Sequence, residues 1–277
     1  MVIEEQGSAT SGEPSRREWQ GWELRETGPA TARRVLLLPG GLGTAAFYDD
    51  VLTRAGLGEH DVRLIATTPP GFGGRPAPAD LSVPGYANLA ADAANELGCE
   101  LVVGHSYFAT VVAEMAATRR FTGKVMLLAP AFSRPDEEQD VRTIDRLARI
   151  PGLRRPAWSV VARSLDSSMR GRLPAARHDE LVAAMRSSDM AVVARIVRSY
   201  FDHLAAHADL PARLAGAGNP AWVVRGDHDE IGLTDTERHT LQTSPTITLI
   251  TIPDAAHFVM LDQPAQITEL IVRATVT

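Results

Sequence analysis

Apolar residues in this chain come in short, nearly unbroken runs: Val35 to Leu38, Val62 to Ala66, Leu101 to Val103, Val125 to Leu128, Ala221 to Val224 and Ile247 to Ile252. Runs without polar alternation suit strands covered on both faces, so they predict a parallel sheet. Helical periodicity between them predicts helices over residues 85–97, 107–118, 234–242 and 264–274. Strand and helix alternate, and Gly/Pro-rich loops follow the strands. The fold class expected is therefore α/β, with a doubly wound, mostly parallel sheet. Ligands in such sheets bind beyond the carboxyl ends of the strands.

One stretch breaks the alternation. Residues 133–210 contain no convincing strand, and their apolar positions recur with helical spacing. Val141, Ile144, Leu147 and Ile150 fall on one face, as do Val193, Ile196, Val197, Tyr200, Phe201 and Leu204, and Asp189 stands where a helix cap belongs. An all-helical insert between two strands would lie over the ligand edge as a cap. Trp158, Met169, Met185 and Met190 are its candidates for pocket lining, with ordinary core packing as the plainer role. The organisation expected is a mobile arm over residues 1–18, a core of residues 19–132 and 211–277, and a helical cap over 133–210.

Composition narrows the choice of partner. The chain has 277 residues, enough for one large domain carrying an insert. A net charge of −6 gives no electrostatic reason to approach nucleic acid or an anionic membrane, which leaves a small molecule as the expected partner. Cys99 is the single cysteine, so an internal disulfide is impossible, and its place before an apolar run suggests a packed thiol. The first residues lack the basic head and apolar middle of a signal peptide, and no apolar stretch is long enough to span a bilayer. A cytoplasmic protein is expected. Nothing in the pattern specifies an oligomeric state.

The candidate chemistry begins where an apolar run stops at Gly104 and presents Ser106 immediately before a helix. A sharp strand-to-helix turn of the type G-x-S-x-G lifts a serine hydroxyl above the sheet edge. That hydroxyl is a poor nucleophile until a base takes its proton. Asp229 and His257 each follow a later apolar run, giving the order Ser, Asp, His. Asp227 is the rival acid, and the G-x-x-D spacing from Gly226 favours Asp229. Backbone N–H groups of Gly41 and Tyr107 are the expected donors to a developing oxyanion. Phe108 stands at the second glycine position of the elbow, where it either displaces the helix or fills space left by smaller neighbours. It joins Trp158 and Met185 as a candidate pocket residue.

Other chemistries fit less well. Gly41 to Ala46 has the G-x-G-x-x-A form of a dinucleotide-binding turn, but Asp61 stands at the start of its strand instead of the carboxyl end. His203 and His207 have the spacing of two helical metal ligands without an evident third. No metal or organic cofactor is expected.

Five segments in the correct order resemble the α/β-hydrolase superfamily, in the branch with a helical cap after the sixth strand. They are Leu36-Leu37-Leu38-Pro39-Gly40-Gly41, Pro70-Gly71-Phe72-Gly73-Gly74, Gly104-His105-Ser106, Gly226-Asp227-His228-Asp229, and Ala256-His257-Phe258 followed by Asp262-Gln263-Pro264. The resemblance implies a Ser106–His257–Asp229 triad and an acyl-enzyme formed from a carboxylic ester or related acyl substrate. It also admits thioester, lactone and carbon–carbon cleavage, and non-hydrolytic or ligand-binding relatives. Serine at the elbow argues against the members that use an aspartate nucleophile.

Overall fold

The computed structural model describes residues 14–54 and 60–276. Its sheet has eight strands: β1 (Ser15–Trp19), β2 (Trp22–Thr27), β3 (Arg33–Leu38), β4 (Val62–Thr68), β5 (Cys99–His105), β6 (Lys124–Leu128), β7 (Ala221–Gly226) and β8 (Ile247–Ile252). Their spatial order is β1-β2-β4-β3-β5-β6-β7-β8. Only β2 runs against its neighbours; β3 to β8 are mutually parallel.

The central apolar runs are buried on both faces, whereas the edge strand β8 buries only Ile247 and Ile252 fully. Along β3, Leu36 and Leu38 enter one core while Val35 and Leu37 enter the other. The first core is closed by α2 (Val83–Glu96) and α3 (Tyr107–Ala117), with α8 (Leu210–Ala217) and α9 (Asp235–Thr243) beside them. The second is closed by α1 (Asp49–Leu52), α10 (Val259–Asp262) and α11 (Pro264–Val276). Burying each such Leu or Val contributes about 1.5–3 kcal/mol before chain entropy is counted. Cys99 is buried at the start of β5, and burial pushes its thiol up to about 12.

Between β6 and α8 the chain forms the helices of the insert: α4 (Gln139–Ala148), α5 (Arg154–Met169), α6 (His178–Arg186) and α7 (Met190–Ala206). Asp189 caps α7 by accepting the Ala191 N–H at 2.8 Å. The inner face of α7 buries Val193, Ile196, Tyr200, Phe201 and Leu204. The face expected on the first cap helix holds only in part. Val141 and Ile144 turn inward, but Leu147 is 43% exposed and Ile150 is 48% exposed. Pro151-Gly152 follow, so α4 stops at Ala148 and Ile150 lies outside it.

The amino-terminal arm also begins to order earlier than expected. Residues 1–13 of that arm lie outside the described residues, while Ser15 to Glu18 already belong to β1. Positive φ at Gln20 (45°) and Gly21 (85°) makes the tight turn into β2, where Trp22 and Leu24 alternate inward with polar neighbours. Among the described residues, no helix is long and apolar enough to cross a membrane.

Candidate active site

Ser106 joins β5 to α3 with φ 51° and ψ −118°, a conformation that costs a non-glycine residue about 1–3 kcal/mol. Its N–H donates to the Leu128 carbonyl at 2.8 Å, tying the turn to β6. Two glycines permit the crossing. A Cβ on Gly104 would lie 2.3 Å from the Phe108 carbonyl oxygen, and one on Gly40 would lie 2.6 Å from His105 Nδ1 and 3.2 Å from Ser106 Cβ. The strand end, the helix and the loop after β3 therefore converge on one serine.

His257 follows β8, and its Nε2 stands 3.0 Å from Ser106 Oγ. Its Nδ1 stands 3.1 Å from Oδ1 of Asp229, in the loop after β7. The Asp229 side chain is wholly buried, and the same oxygen accepts the Ile231 N–H at 3.0 Å. Burial alone would raise this carboxyl, but hydrogen bonding and charge from His257, with the Ile231 N–H, outweigh it and hold the group below the usual carboxylate range. Burial likewise disfavours the charged imidazole of His257. Asp229 outweighs that effect and holds it above the ordinary histidine value. Asp227 is directed elsewhere: its carboxylate accepts the Ala255 N–H at 3.2 Å within the turn.

A cavity of about 440 Å³ opens above Ser106, between the sheet edge and the cap. Gly41, Tyr107, Trp158, Met169 and Met185 line it together with Ser106 and His257. Tyr107 is the first residue of α3, so its N–H has no acceptor within the helix. Met190 instead packs beside Trp158. Phe108 does not reach the cavity, contrary to expectation. It is fully buried against Phe72 and Tyr86, with ring centroids 5.6 Å away in both cases, on a side where α2 is rich in alanine. The ring fills space left by small neighbours, and Gly104, within β5, provides the close approach to α3 without a second glycine at position 108.

The turn from Gly41 to Ala46 runs into a single 3₁₀ turn, Ala45–Tyr48, and then the four-residue α1. A dinucleotide site needs a longer helix aimed at the pyrophosphate. His203 and His207 pack with tilted rings, centroids 4.5 Å apart, and His203 Nε2 lies 3.5 Å from Glu114. The sequence pattern assigned no role at the site to three residues that the structure brings there: His105, whose Nε2–H donates to the His257 carbonyl, and Glu137 and Tyr200 in the cavity wall. Glu137 lies in a loop, where no periodicity marks a buried position.

Residues 35–270 match the Alpha/beta hydrolase family, and the chain belongs to that family. No curated protein matches it significantly. Among solved structures it is similar to an esterase from Thermogutta terrifontis, with 22% identity and a TM-score of 0.68 over 97% of this chain and 100% of that one. It is also similar to epoxide hydrolase A from Mycobacterium thermoresistibile, at 18% and 0.72 over 94% and 98%. The enol-lactonase from Burkholderia xenovorans LB400 gives 18% and 0.69 over 95% and 100%. These likenesses concern the fold.

Proposed function

We propose that the protein is a serine-dependent hydrolase of a carboxylic ester or related small acyl compound. The observation that carries this reading is the continuous relay from Ser106 Oγ through His257 to the buried Asp229, at 3.0 and 3.1 Å. Ser106 Oγ would attack the acyl carbon while its proton passes to His257 Nε2. Asp229 would hold the imidazolium so formed, and the Gly41 and Tyr107 N–H groups would receive the oxyanion. The leaving alkoxide would take the proton from His257. Water deprotonated by His257 would then attack the acyl-enzyme, releasing the acid and restoring Ser106. A ligand-binding relative was the competing reading because of Phe108. That ground weakens once the ring packs away from the cavity.

Intact mass after exposure to a fluorophosphonate tests the reading without knowledge of the substrate. One adduct is expected on the native chain, none on Ser106→Ala, and a greatly slowed one on His257→Ala. A folded native protein that takes no adduct, or an adduct that survives Ser106→Ala, overturns it.

A further inference from the structure

Buried charges in proteins are normally paired, because an isolated carboxylate in a dry site is costly. Glu137 lines the cavity and is 8% exposed, yet no basic side chain pairs with it among the described residues. Its Oε2 accepts the Tyr200 hydroxyl at 2.8 Å, and its Oε1 accepts the Glu138 N–H at 3.1 Å. The arginine of the cavity wall is already committed. Arg172 forks onto Glu138 at 2.8 and 2.9 Å and reaches Glu230 at 2.9 Å.

Apart from these groups, Ser106 and His257, and the side chains of Asp140, Ser164 and Ser168, the wall is aromatic and apolar. Tyr107 and Tyr200 face each other edge to face at 5.5 Å, with Phe72 and Trp158 also lining the space. The Trp158 indole N–H is buried and has no partner among the described residues, so a hydrogen bond is left for an oxygen of whatever enters. Aromatic rings beside a carboxylate suit a quaternary alkylammonium group, which is large, weakly hydrated and positive.

We propose that the cavity takes an acyl substrate carrying a cationic alkylammonium group, seated against Glu137 and the aromatic wall. The inference rests on reading the cavity as the acyl site. Burial raises the Glu137 carboxyl, while Tyr200, the Glu138 N–H and the charge of His257 oppose the rise. A bound cation would favour the ionised form further. Glu137 and His257 each shift the other's titration, which places the cation site within electrostatic reach of the nucleophile's base.

Calorimetric binding to the Ser106→Ala protein tests this without turnover. The probes are methyl 4-(trimethylammonio)butanoate and its carbon isostere, methyl 5,5-dimethylhexanoate. The cationic ester should bind at least about tenfold tighter at low salt, with the preference lost when Glu137→Gln is added. Tyr200→Phe, which removes only the hydroxyl that holds Glu137, should shrink the preference, and decides the matter if Glu137→Gln does not fold. Equal binding of the two esters, or a preference indifferent to both substitutions, overturns the proposal. Cation preference without a fluorophosphonate adduct on the native chain would retain this site and remove the hydrolase reading; an adduct without preference would do the reverse.

Discussion

The carbonyl oxygen of His257 accepts a hydrogen bond from His105 Nε2, 2.9 Å away, so the residue next to Ser106 holds the backbone of the residue that bonds its hydroxyl. Burial, helped by the nearby charge of His257, pushes His105 down to about 3. It is therefore a neutral donor, and adds no positive charge beside His257. Replacing it by leucine removes the donor at similar bulk. kcat/KM on an activated ester should fall about tenfold, the worth of one buried hydrogen bond, with the fold retained by circular dichroism. An unchanged rate would show that the His257 loop needs no such support.

The pH dependence follows from His257 and Asp229. A base must be unprotonated, and Asp229 holds His257 above the ordinary value of 6.5. Activity should therefore be lost as pH falls through a midpoint above that value. Asp229→Asn removes the group that raises the midpoint and leaves the burial that lowers it. The acid limb should move to lower pH, and kcat/KM should drop about 10⁴-fold. A pH–rate profile of both proteins checks the direction.

At the elbow, two substitutions should separate geometry from bulk. Gly104→Ala forces a Cβ against main-chain atoms of Phe108, at 2.3 Å from the oxygen and 2.7 Å from the carbon, and should abolish labelling of Ser106 or prevent folding. Phe108→Ala empties a fully buried site and should cost about 3–5 kcal/mol in denaturant unfolding while Ser106 still labels. Loss of labelling in a folded Phe108→Ala protein would mean that the ring shapes the nucleophile after all.

Acid should loosen the packing of α8 on α3. Glu114 in α3 binds Arg213 of α8 at 2.8 and 2.9 Å and faces His203 of α7. Burial would raise its carboxyl, but these partners pull it down to about 2. A depressed carboxyl stabilises above its unfolded value and loses that contribution as pH falls toward the folded one. Glu114→Gln should cost about 2 kcal/mol at neutral pH, less than the ~3–5 kcal/mol of breaking a fully buried pair because the arginine is partly solvated. Its melting temperature should then vary less than that of the native chain as pH falls from about 4.5 to 2.

Strands buried on both faces were legible because their apolar runs admit no other arrangement at that length, as Val35 to Leu38 shows. The order Ser106, Asp229, His257 was legible because each residue follows such a run. The β1–β2 hairpin was missed. Its signal, Trp22 and Leu24 alternating with charge after Gln20-Gly21, is short and lies beside an exposed, charged edge strand. Burial in the cap was only half legible, since periodicity placed Leu147 on an inner face without revealing that the helix ends one residue later. Phe108 was misplaced because a one-dimensional pattern does not show that α2 leaves room for a ring.

Ser106 lies on the chain before the helical insert, whereas Asp229 and His257 lie after it, with His257 151 positions further along than Ser106. During synthesis the strand that presents the serine exists long before the two loops that would activate it. Contacts so distant along the chain form late in folding. An incomplete chain thus carries a serine without its histidine and aspartate neighbours, and the three come together only after β8 has docked beside β7.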